Sequence, residues 1–190
     1  AITQGGTYKD LRKKSASELV DLEFDGYGIG GLSIGEPKDV MLSVLKDQTE
    51  MLPVNKPRYL MGVGSPAELL EAISCGVDIF DSTFPTRNAR HNEAYTFSGE
   101  MNLSRGIFRE DSSSIEAGCG CYTCKNHTRA YIHHLLRNHE ATGLSLMTIH
   151  NLYFIQRLLR NTKDAIRKNK FPQFKEEMLK TLNSGERLLA

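Results

Sequence analysis

The sequence predicts an α/β fold in which short strands alternate with helices and pair in parallel. Four short apolar runs, at residues 1–6, 26–32, 57–64 and 77–81, each lead into glycines or a carboxylate. Amphipathic segments with helix-start signals follow the first three runs. This alternation is typical of βαβ units with right-handed crossovers.

Four such units amount to half of an eightfold barrel. A complete barrel of this type takes about 250 residues and has no free edges, whereas this chain has 190 residues. We therefore expect self-association, distortion or a missing half at the open edges, with a small open parallel sheet as the alternative. The chain begins within a strand and without an initiator Met, which favours a piece of a longer protein or a processed terminus.

Helix-start signals stand at three places between the strands. Residues 15–18 read Ser-Ala-Ser-Glu, a capping box that predicts a first helix start at Ser15. Pro37 predicts the first turn of a second helix. A third helix is predicted to open at residues 65–68, Ser-Pro-Ala-Glu, and to end at Gly76.

The fourth strand is the one around which the chain is organised. Residues 77–80 have an apolar pattern, and Asp81 follows directly at the predicted carboxyl end, where catalytic groups collect in parallel α/β folds. Pro85 cannot donate to a strand ladder, so a basic loop is expected to carry Arg87 and Arg90 toward phosphates. The alternative is that Asp81 caps a turn and both arginines are solvated.

Composition and charge exclude several classes of protein. The formal net charge is +1, so a polyanion would have to be met by local basic clusters. The sequence has neither a run of about 18 apolar residues nor a signal-peptide pattern, and we expect no membrane partner and a cytoplasmic location. Gly26–Gly31 lacks the Lys-Ser/Thr of a P-loop and the spacing of a dinucleotide motif. Gly30–Gly31 and Gln4 instead suit a flat ligand that Met61 could cover, although Met61 is equally compatible with the core.

Three cysteines lie close together in the second half of the chain. Cys119, Cys121 and Cys124 offer soft thiolate ligands within six residues, which is typical of a tetrahedral zinc site. The candidates for a fourth ligand are His127, His133, His134, His139 and His150. We favour His150, which directly precedes a helix predicted over 152–169 and would pin that helix to the loop. Three thiolates and one imidazole leave no open position, so the predicted cofactor is one structural Zn²⁺ per chain. Free reduced cysteines are the alternative.

Together these motifs resemble the tRNA-guanine transglycosylases, also called queuine tRNA-ribosyltransferases. The resemblance covers nearly the whole chain, in order. It rests on Gln4-Gly5-Gly6, Gly30-Gly31-Leu32, Gly35-Glu36-Pro37, residues 56–64, Phe80-Asp81, residues 85–90, and the Cys119, Cys121 and Cys124 cluster with His150. The resemblance implies the C-terminal half of a (β/α)8 TIM barrel with an inserted zinc-binding subdomain.

The resemblance implies a pentosyltransferase that acts in queuosine biosynthesis. Such enzymes exchange the wobble guanine of G-U-N anticodons for a 7-deazaguanine, preQ1 or queuine. Asp81 would attack ribose C1′ and form a covalent intermediate, as in retaining glycosidases. The base would first have to leave its stack. Ile34 is bulky where queuine-using relatives tend to carry glycine, which favours preQ1.

Further roles carry over position by position. The residues implied to bind or flank the base are Gln4, Gly31, Leu32, Met61 and Glu36. Arg87 and Arg90 match contacts with the tRNA anticodon loop. The implied zinc ligands are Cys119, Cys121, Cys124 and His150, in agreement with the choice of His150 made above.

The chain is predicted to contain three parts. These parts are a half barrel at 1–110, a zinc-binding subdomain at 111–150 and C-terminal helices at 151–190 that pack on the barrel. The family's general acid lies in the N-terminal barrel half, so we expect the chain alone to be inactive. The expected protein partner is a second copy of this chain, in a homodimer, or the N-terminal barrel half. The alternative functions are a non-catalytic, zinc-stabilised tRNA-binding subunit and a metal-dependent hydrolase.

Overall fold

The structure of the chain is a computed structural model that describes residues 1–184. It divides into two units, which meet in the sequence between Thr83 and Phe84. The elements of the first unit are β1 (Ile2–Thr3), α1 (Lys9–Val20), β2 (Tyr27–Ile29), α2 (Lys38–Met51), β3 (Arg58–Leu60), α3 (Pro66–Ser74) and β4 (Ile79–Phe80). This alternation confirms the α/β class predicted from the sequence.

Within the described residues the first unit has one parallel sheet of four strands, in the order β1-β2-β3-β4. Its two faces differ. Thr3, Ile29 and Leu60 are fully buried on one face, where a core of apolar side chains from the helices packs against the sheet. On the other face Ile2 is 50% exposed and Ile79 is 49% exposed. The sheet is therefore covered on one side within this unit.

Helix starts follow the sequence signals in one case and depart from them in another. Helix α3 begins after Ser65, whose hydroxyl accepts a hydrogen bond from the Glu68 amide at 3.4 Å, as the capping box predicts. The predicted start at Ser15 is wrong, because α1 already begins at Lys9. The Ser15 hydroxyl instead accepts a hydrogen bond from the backbone amide of Gln4 at 3.1 Å. Its capping capacity thus serves a neighbouring loop.

The second unit is mainly helical. Its elements are α4 (Phe84–Arg90), β5 (Glu93–Thr96), β6 (Gly99–Asn102), a 3₁₀ turn (Gly106–Phe108), α5 (Tyr122–Asn126), α6 (Arg129–Arg137), α7 (Ala141–Arg167) and α8 (Phe171–Ser184). Strands β5 and β6 form an antiparallel hairpin. Fully buried Leu103, Ile132 and Met147 belong to the core of this unit. No helix in residues 1–184 has the length and apolar character needed to cross a membrane.

Two local expectations in this unit are corrected. The segment expected to be a basic loop is the short helix α4, with Pro85 in its first turn, where a missing amide hydrogen does no harm. The long helix begins at Ala141 rather than Leu152, so His150 lies inside α7. His150 and Asn151 are both fully buried there. Polar residues on the buried face of α7 conceal the apolar periodicity of its first half.

Candidate active site and metal centre

Four of the sequence-predicted residues lie in one row at the carboxyl edge of the parallel sheet. The strand register pairs Ile2 with Gly28, Gly28 with Tyr59, and Tyr59 with Ile79. Side chains two residues apart on a strand share a face. Continuing that register by two residues places Gln4, Gly30, Met61 and Asp81 side by side on the more exposed face. Gln4 and Asp81 are exposed and Met61 is half-buried.

The Gln4 side chain crosses the end of β2 at two glycines. A Cβ atom on Gly30 would lie 2.5 Å from Gln4 Nε2, and one on Gly31 would lie 2.6 Å from Gln4 Oε1. Gly31 also has a φ of +67°, a conformation that favours glycine. The two glycines therefore let the Gln4 amide lie directly against the backbone of the neighbouring strand end.

A buried arginine that was not singled out from the sequence holds this edge together. Arg12, on α1, is only 2% exposed. Its Nε donates to the Gly6 carbonyl at 2.7 Å, and its Nη2 donates to the Gly30 carbonyl at 2.8 Å. Burial lowers the pKa of Arg12, and the nearby Glu36 carboxylate opposes that effect. Arg12 thus ties the loop after β1 to the loop after β2.

Glu36 organises the loop that follows Gly31. Its carboxylate accepts hydrogen bonds from the backbone amides of Ser33 and Ile34. Partial burial raises the pKa of Glu36, but bonds from Ser33 and other loop amides outweigh this effect, so the net pKa lies below its ordinary value. Leu32 is 4% exposed and packs in the core, whereas Ile34 is 80% exposed.

Asp81 is an exposed carboxylate with two hydrogen bonds to one of its oxygens. The Tyr59 hydroxyl donates to Asp81 Oδ1 at 2.6 Å, and the Gly62 amide donates to the same oxygen at 3.0 Å. The Tyr59 bond first, and the Gly62 bond second, lower the pKa of Asp81. The same contact with Asp81 raises the pKa of Tyr59. Asp81 is therefore ionised at neutral pH, with Oδ2 not used in either bond.

Sequence reasoning gave no role to Tyr59 or to Arg12. A signal for Arg12 existed, since it lies four residues before the buried Ala16 on α1 and so shares its inward face. Tyr59 lies two residues before Met61 on β3, and hence on the same face of the sheet. Neither spacing alone gives the hydrogen-bond partner, which depends on the neighbouring strand.

In the second unit four side chains form a compact cluster with the donor set of a metal site. The ligand atoms of Cys119, Cys121, Cys124 and His150 all lie within 4.8 Å of one another. His150 Nδ1 lies 3.9 Å from the Cys119 sulfur, 3.6 Å from that of Cys121 and 3.4 Å from that of Cys124. A tetrahedral ion with Zn–S and Zn–N bonds of about 2.3 and 2.05 Å would separate sulfur from nitrogen by about 3.6 Å. The cluster fits such an ion.

The surroundings of the cluster orient its ligands. His150 Nε2 lies 2.7 Å from the Tyr95 carbonyl oxygen and donates to it, which leaves Nδ1 as the free lone pair facing the sulfurs. A hydrogen bond from the Cys124 thiol outweighs partial burial and, with His150, lowers the pKa of Cys121 to about 3. Burial lowers the pKa of His150, but the sulfur groups reverse this and raise it to about 9. The cluster therefore favours a positive charge at its centre.

The other histidine candidates lie outside this cluster. His133 Nδ1 bonds the Leu103 carbonyl at 2.8 Å, His127 stacks on Tyr131, and His134 contacts Asn138. The structure thus agrees with the choice of His150 as the fourth member. Arg87 and Arg90, the predicted RNA contacts, are both exposed on α4 of the second unit.

Comparison with known proteins gives one consistent result. The family model described as queuine tRNA-ribosyltransferase matches residues 1–184. Proteins of that name from Bacillus subtilis and Desulforamulus reducens are 52% identical over 176 residues and 47% identical over 184 residues, respectively. These alignments cover 93% and 97% of this chain, but 46% and 50% of the relatives.

The relative from Caldanaerobacter subterraneus is 49% identical over 179 residues and carries the same name. The chain spans about half the length of the curated relatives it matches. The family-model match over residues 1–184 runs through both units and includes the sheet edge and the cysteine cluster. On these grounds the chain belongs to the queuine tRNA-ribosyltransferase family.

Proposed function

We propose that this chain is the nucleophile-bearing half of a tRNA-guanine transglycosylase. The substrate would be a tRNA with a G-U-N anticodon, whose wobble guanine is exchanged for a 7-deazaguanine such as preQ1 or queuine. The observation that carries the proposal is the row of Gln4, Gly30, Met61 and Asp81 at one strand edge. The name of the relatives supports the same reaction class.

Asp81 is assigned the role of nucleophile. Oδ2 forms a bond to ribose C1′ as the C1′–N9 bond breaks, and the electron pair of that bond leaves with guanine, which takes a proton from an acid outside this chain. The N9 atom of the incoming base then forms a bond to C1′, loses its proton and displaces the carboxylate. Two displacements retain the anomeric configuration. Tyr59 and Gly62 hold the carboxylate ionised and oriented through Oδ1.

The loops beside Asp81 are proposed to recognise the flat base. Gln4 and the backbone at Gly31 and Leu32 would hydrogen-bond its edge, and Met61 would cover its face. Glu36 would hold the loop at Ser33 and Ile34 in one backbone conformation, since it already binds both amides. The polar edge and the apolar cover together suit a purine-like heterocycle.

The remaining assignments extend this proposal to the whole protein. Ile2 and Ile79 on one face of the sheet are about half-exposed, and the chain aligns with about half the length of its relatives. Both observations support a half barrel completed by further strands or by association with another chain. We assign Zn²⁺ to the Cys119, Cys121, Cys124 and His150 cluster, and anticodon-loop contacts to Arg87 and Arg90. The three-part division at 1–110, 111–150 and 151–190 and a cytoplasmic location stay predictions.

The test is incorporation of labelled guanine into a cognate tRNA, by the chain alone and with an N-terminal barrel half added. We expect exchange only with both halves, and its loss in Asp81→Asn, which keeps the shape of the side chain. Asp21→Asn is the matched control, since Asp21 is an exposed acid at the end of α1. Equal exchange in both variants would overturn the role of Asp81. RNA binding without exchange in any mixture would favour the non-catalytic tRNA-binding subunit.

A further inference from the structure

Two adjoining cavities open in the second unit and share part of their walls. The larger has a volume of about 580 Å³ and is lined by Ser104, Gly106, Arg109, His133, His134 and Arg137. The smaller has a volume of about 360 Å³ and shares Ser104 and Arg137 with it. Ligand pockets in proteins commonly measure about 300–1,000 Å³, so the larger cavity has room for a nucleotide unit.

The larger cavity has a one-sided charge. Arg109 and Arg137 are both exposed. In residues 1–184 neither guanidinium has an ion-pair or hydrogen-bond partner, and no carboxylate belongs to the lining of this cavity. Arg167, an exposed arginine outside this cavity, instead pairs with Asp164 at 3.5 Å. Two unpartnered guanidiniums facing one cavity suit an anion with several acceptor oxygens.

The positions of these groups are fixed by the fold. His133 is 7% exposed and bonds the Leu103 carbonyl at 2.8 Å, which holds α6 against the segment after β6. Arg137 lies one turn further along α6, on the same helix face as His133. Arg109 follows the 3₁₀ turn Gly106–Phe108. The lining of the cavity therefore comes from α6 and from the segment after β6, which are joined by the buried His133–Leu103 hydrogen bond.

We propose that the larger cavity is a subsite for a backbone phosphate of RNA. The inference rests on the proposed function for two points, tRNA as the ligand and Arg90 as a contact of the anticodon loop. The smaller cavity is also lined by Arg90, a predicted anticodon-loop contact. Because Arg137 lines both cavities, an RNA strand that contacts Arg90 can continue past Arg137 to Arg109. Glu140 lines the smaller cavity and repels phosphate there, which places the phosphate in the larger one.

The experiment measures binding of an anticodon stem-loop RNA, by fluorescence anisotropy, to the full chain and to Arg109→Ala and Arg137→Ala. The RNA is used in two forms, one with a G-U-N anticodon and one with an unrelated anticodon. The control is Arg167→Ala, which removes the same charge from an exposed position outside both cavities. Each lost phosphate contact reduces the slope of log affinity against log salt by about 0.7–0.9.

A fourfold rise in salt concentration weakens RNA binding by the unsubstituted chain by a certain factor. We expect the corresponding factor for each cavity variant to be about threefold smaller. Both RNAs should be affected alike, because phosphate contacts read no sequence. Unchanged affinity and slope in both cavity variants overturn the inference, as does an equal change in Arg167→Ala. A change of oligomeric state in place of RNA affinity also overturns it and assigns the cavity to a protein contact. Failure of the Asp81 exchange assay leaves these binding results intact, so the two failures are distinguishable.

Discussion

The two units build their candidate sites in opposite ways. In the first unit Gln4 and Asp81 are exposed at the end of a sheet. The Gln4 backbone amide donates to the Ser15 hydroxyl, and the Asp81 carboxylate accepts from the Gly62 amide. In the second unit Cys119, Cys121 and His150 are 7%, 2% and 0% exposed. An exposed site can change its residues with little effect on folding, whereas a buried cluster is part of the core. We therefore expect substitutions at the exposed sheet end to affect chemistry, and substitutions in the buried cluster to affect stability.

Buried polar groups of the second unit connect its candidate site to the neighbouring elements. Asn151, next to His150, accepts a hydrogen bond from the Tyr95 amide at 3.1 Å and donates to the Glu93 and Pro85 carbonyls at 2.8 and 3.1 Å. These bonds join α7 to the hairpin and to α4. His150 and Asn151, neighbours on α7, therefore both bond the backbone of Tyr95 in one buried network.

The largest effect is expected from breaking the cysteine cluster. Cys121→Ser should abolish metal binding and unfold the second unit, because binding of a structural zinc ion provides about 10 kcal/mol or more of folding free energy. Metal content by atomic emission and helix content by circular dichroism measure the two results. The matched control is Cys75→Ser, since Cys75 lies in the first unit outside the cluster. A folded Cys121→Ser chain that has lost its metal would contradict the structural role.

The next largest effect is expected at Asn151. Asn151→Ala removes three hydrogen bonds and leaves buried backbone groups without partners, so we expect a loss of about 2–4 kcal/mol in the free energy of unfolding. Urea unfolding followed by circular dichroism measures it. The exposed Asn161→Ala, on the same helix, should change stability by about 0.5 kcal/mol or less. Equal effects of both substitutions would show that the buried network adds no stability.

Arg12 is a buried residue of the first unit, so its substitution tests whether buried polar contacts also stabilise that unit. Arg12→Met should destabilise the first unit by about 2–3 kcal/mol, because the Gly6 and Gly30 carbonyls lose a charged donor. Lys13→Met is the control, since Lys13 is exposed on the same helix. Chemical unfolding measures both. Retained stability in Arg12→Met would mean that the loops hold their conformation without the arginine.

The smallest effect is expected at Tyr59. Tyr59→Phe removes the hydrogen bond that contributes most to the low pKa of Asp81, so the pKa of Asp81 should rise toward its ordinary value. A carboxylate with a lowered folded-state pKa stabilises the fold above its unfolded-state pKa, and that contribution is lost as pH falls through the folded-state value. In the variant this contribution should therefore be smaller, and its loss should be complete at a higher pH. NMR titration of the Asp81 carboxyl carbon measures this, with the exposed Tyr8→Phe as control. An unshifted Asp81 titration would contradict the assignment.

The sequence was most informative where local chemistry and chain order suffice. Alternating apolar runs and helix signals predicted the parallel α/β class, which the strand order confirms. The spacing of Cys119, Cys121 and Cys124 predicted a cluster that could hold a metal, and the structure brings His150 to it. The resemblance to the transglycosylases was confirmed by the match over residues 1–184. The roles of Asp81, Gln4 and the arginines stay predictions.

Local signals failed where a side chain serves a distant neighbour. The local sequence predicts a helix cap at Ser15, but the Ser15 hydroxyl accepts a hydrogen bond from the Gln4 amide eleven residues away. His150 was placed before its helix, because buried polar residues interrupt the apolar stripe of α7. The neighbouring sequence does not show whether a hydroxyl or an imidazole bonds a nearby or a distant group. The partner depends on how the elements pack.

By itself the sequence determined the α/β class, the strand order along the chain, the thiolate cluster and the family, because periodicity, ligand spacing and motif order are carried by neighbouring residues. Only the tertiary structure decided that Tyr59 and Gly62 hold Asp81 ionised, that Arg12 joins two strand-end loops, and that the Tyr95 carbonyl fixes the tautomer of His150. Those contacts join residues far apart in the chain. Their energies depend on distance and burial, which exist only once the strands and helices have packed.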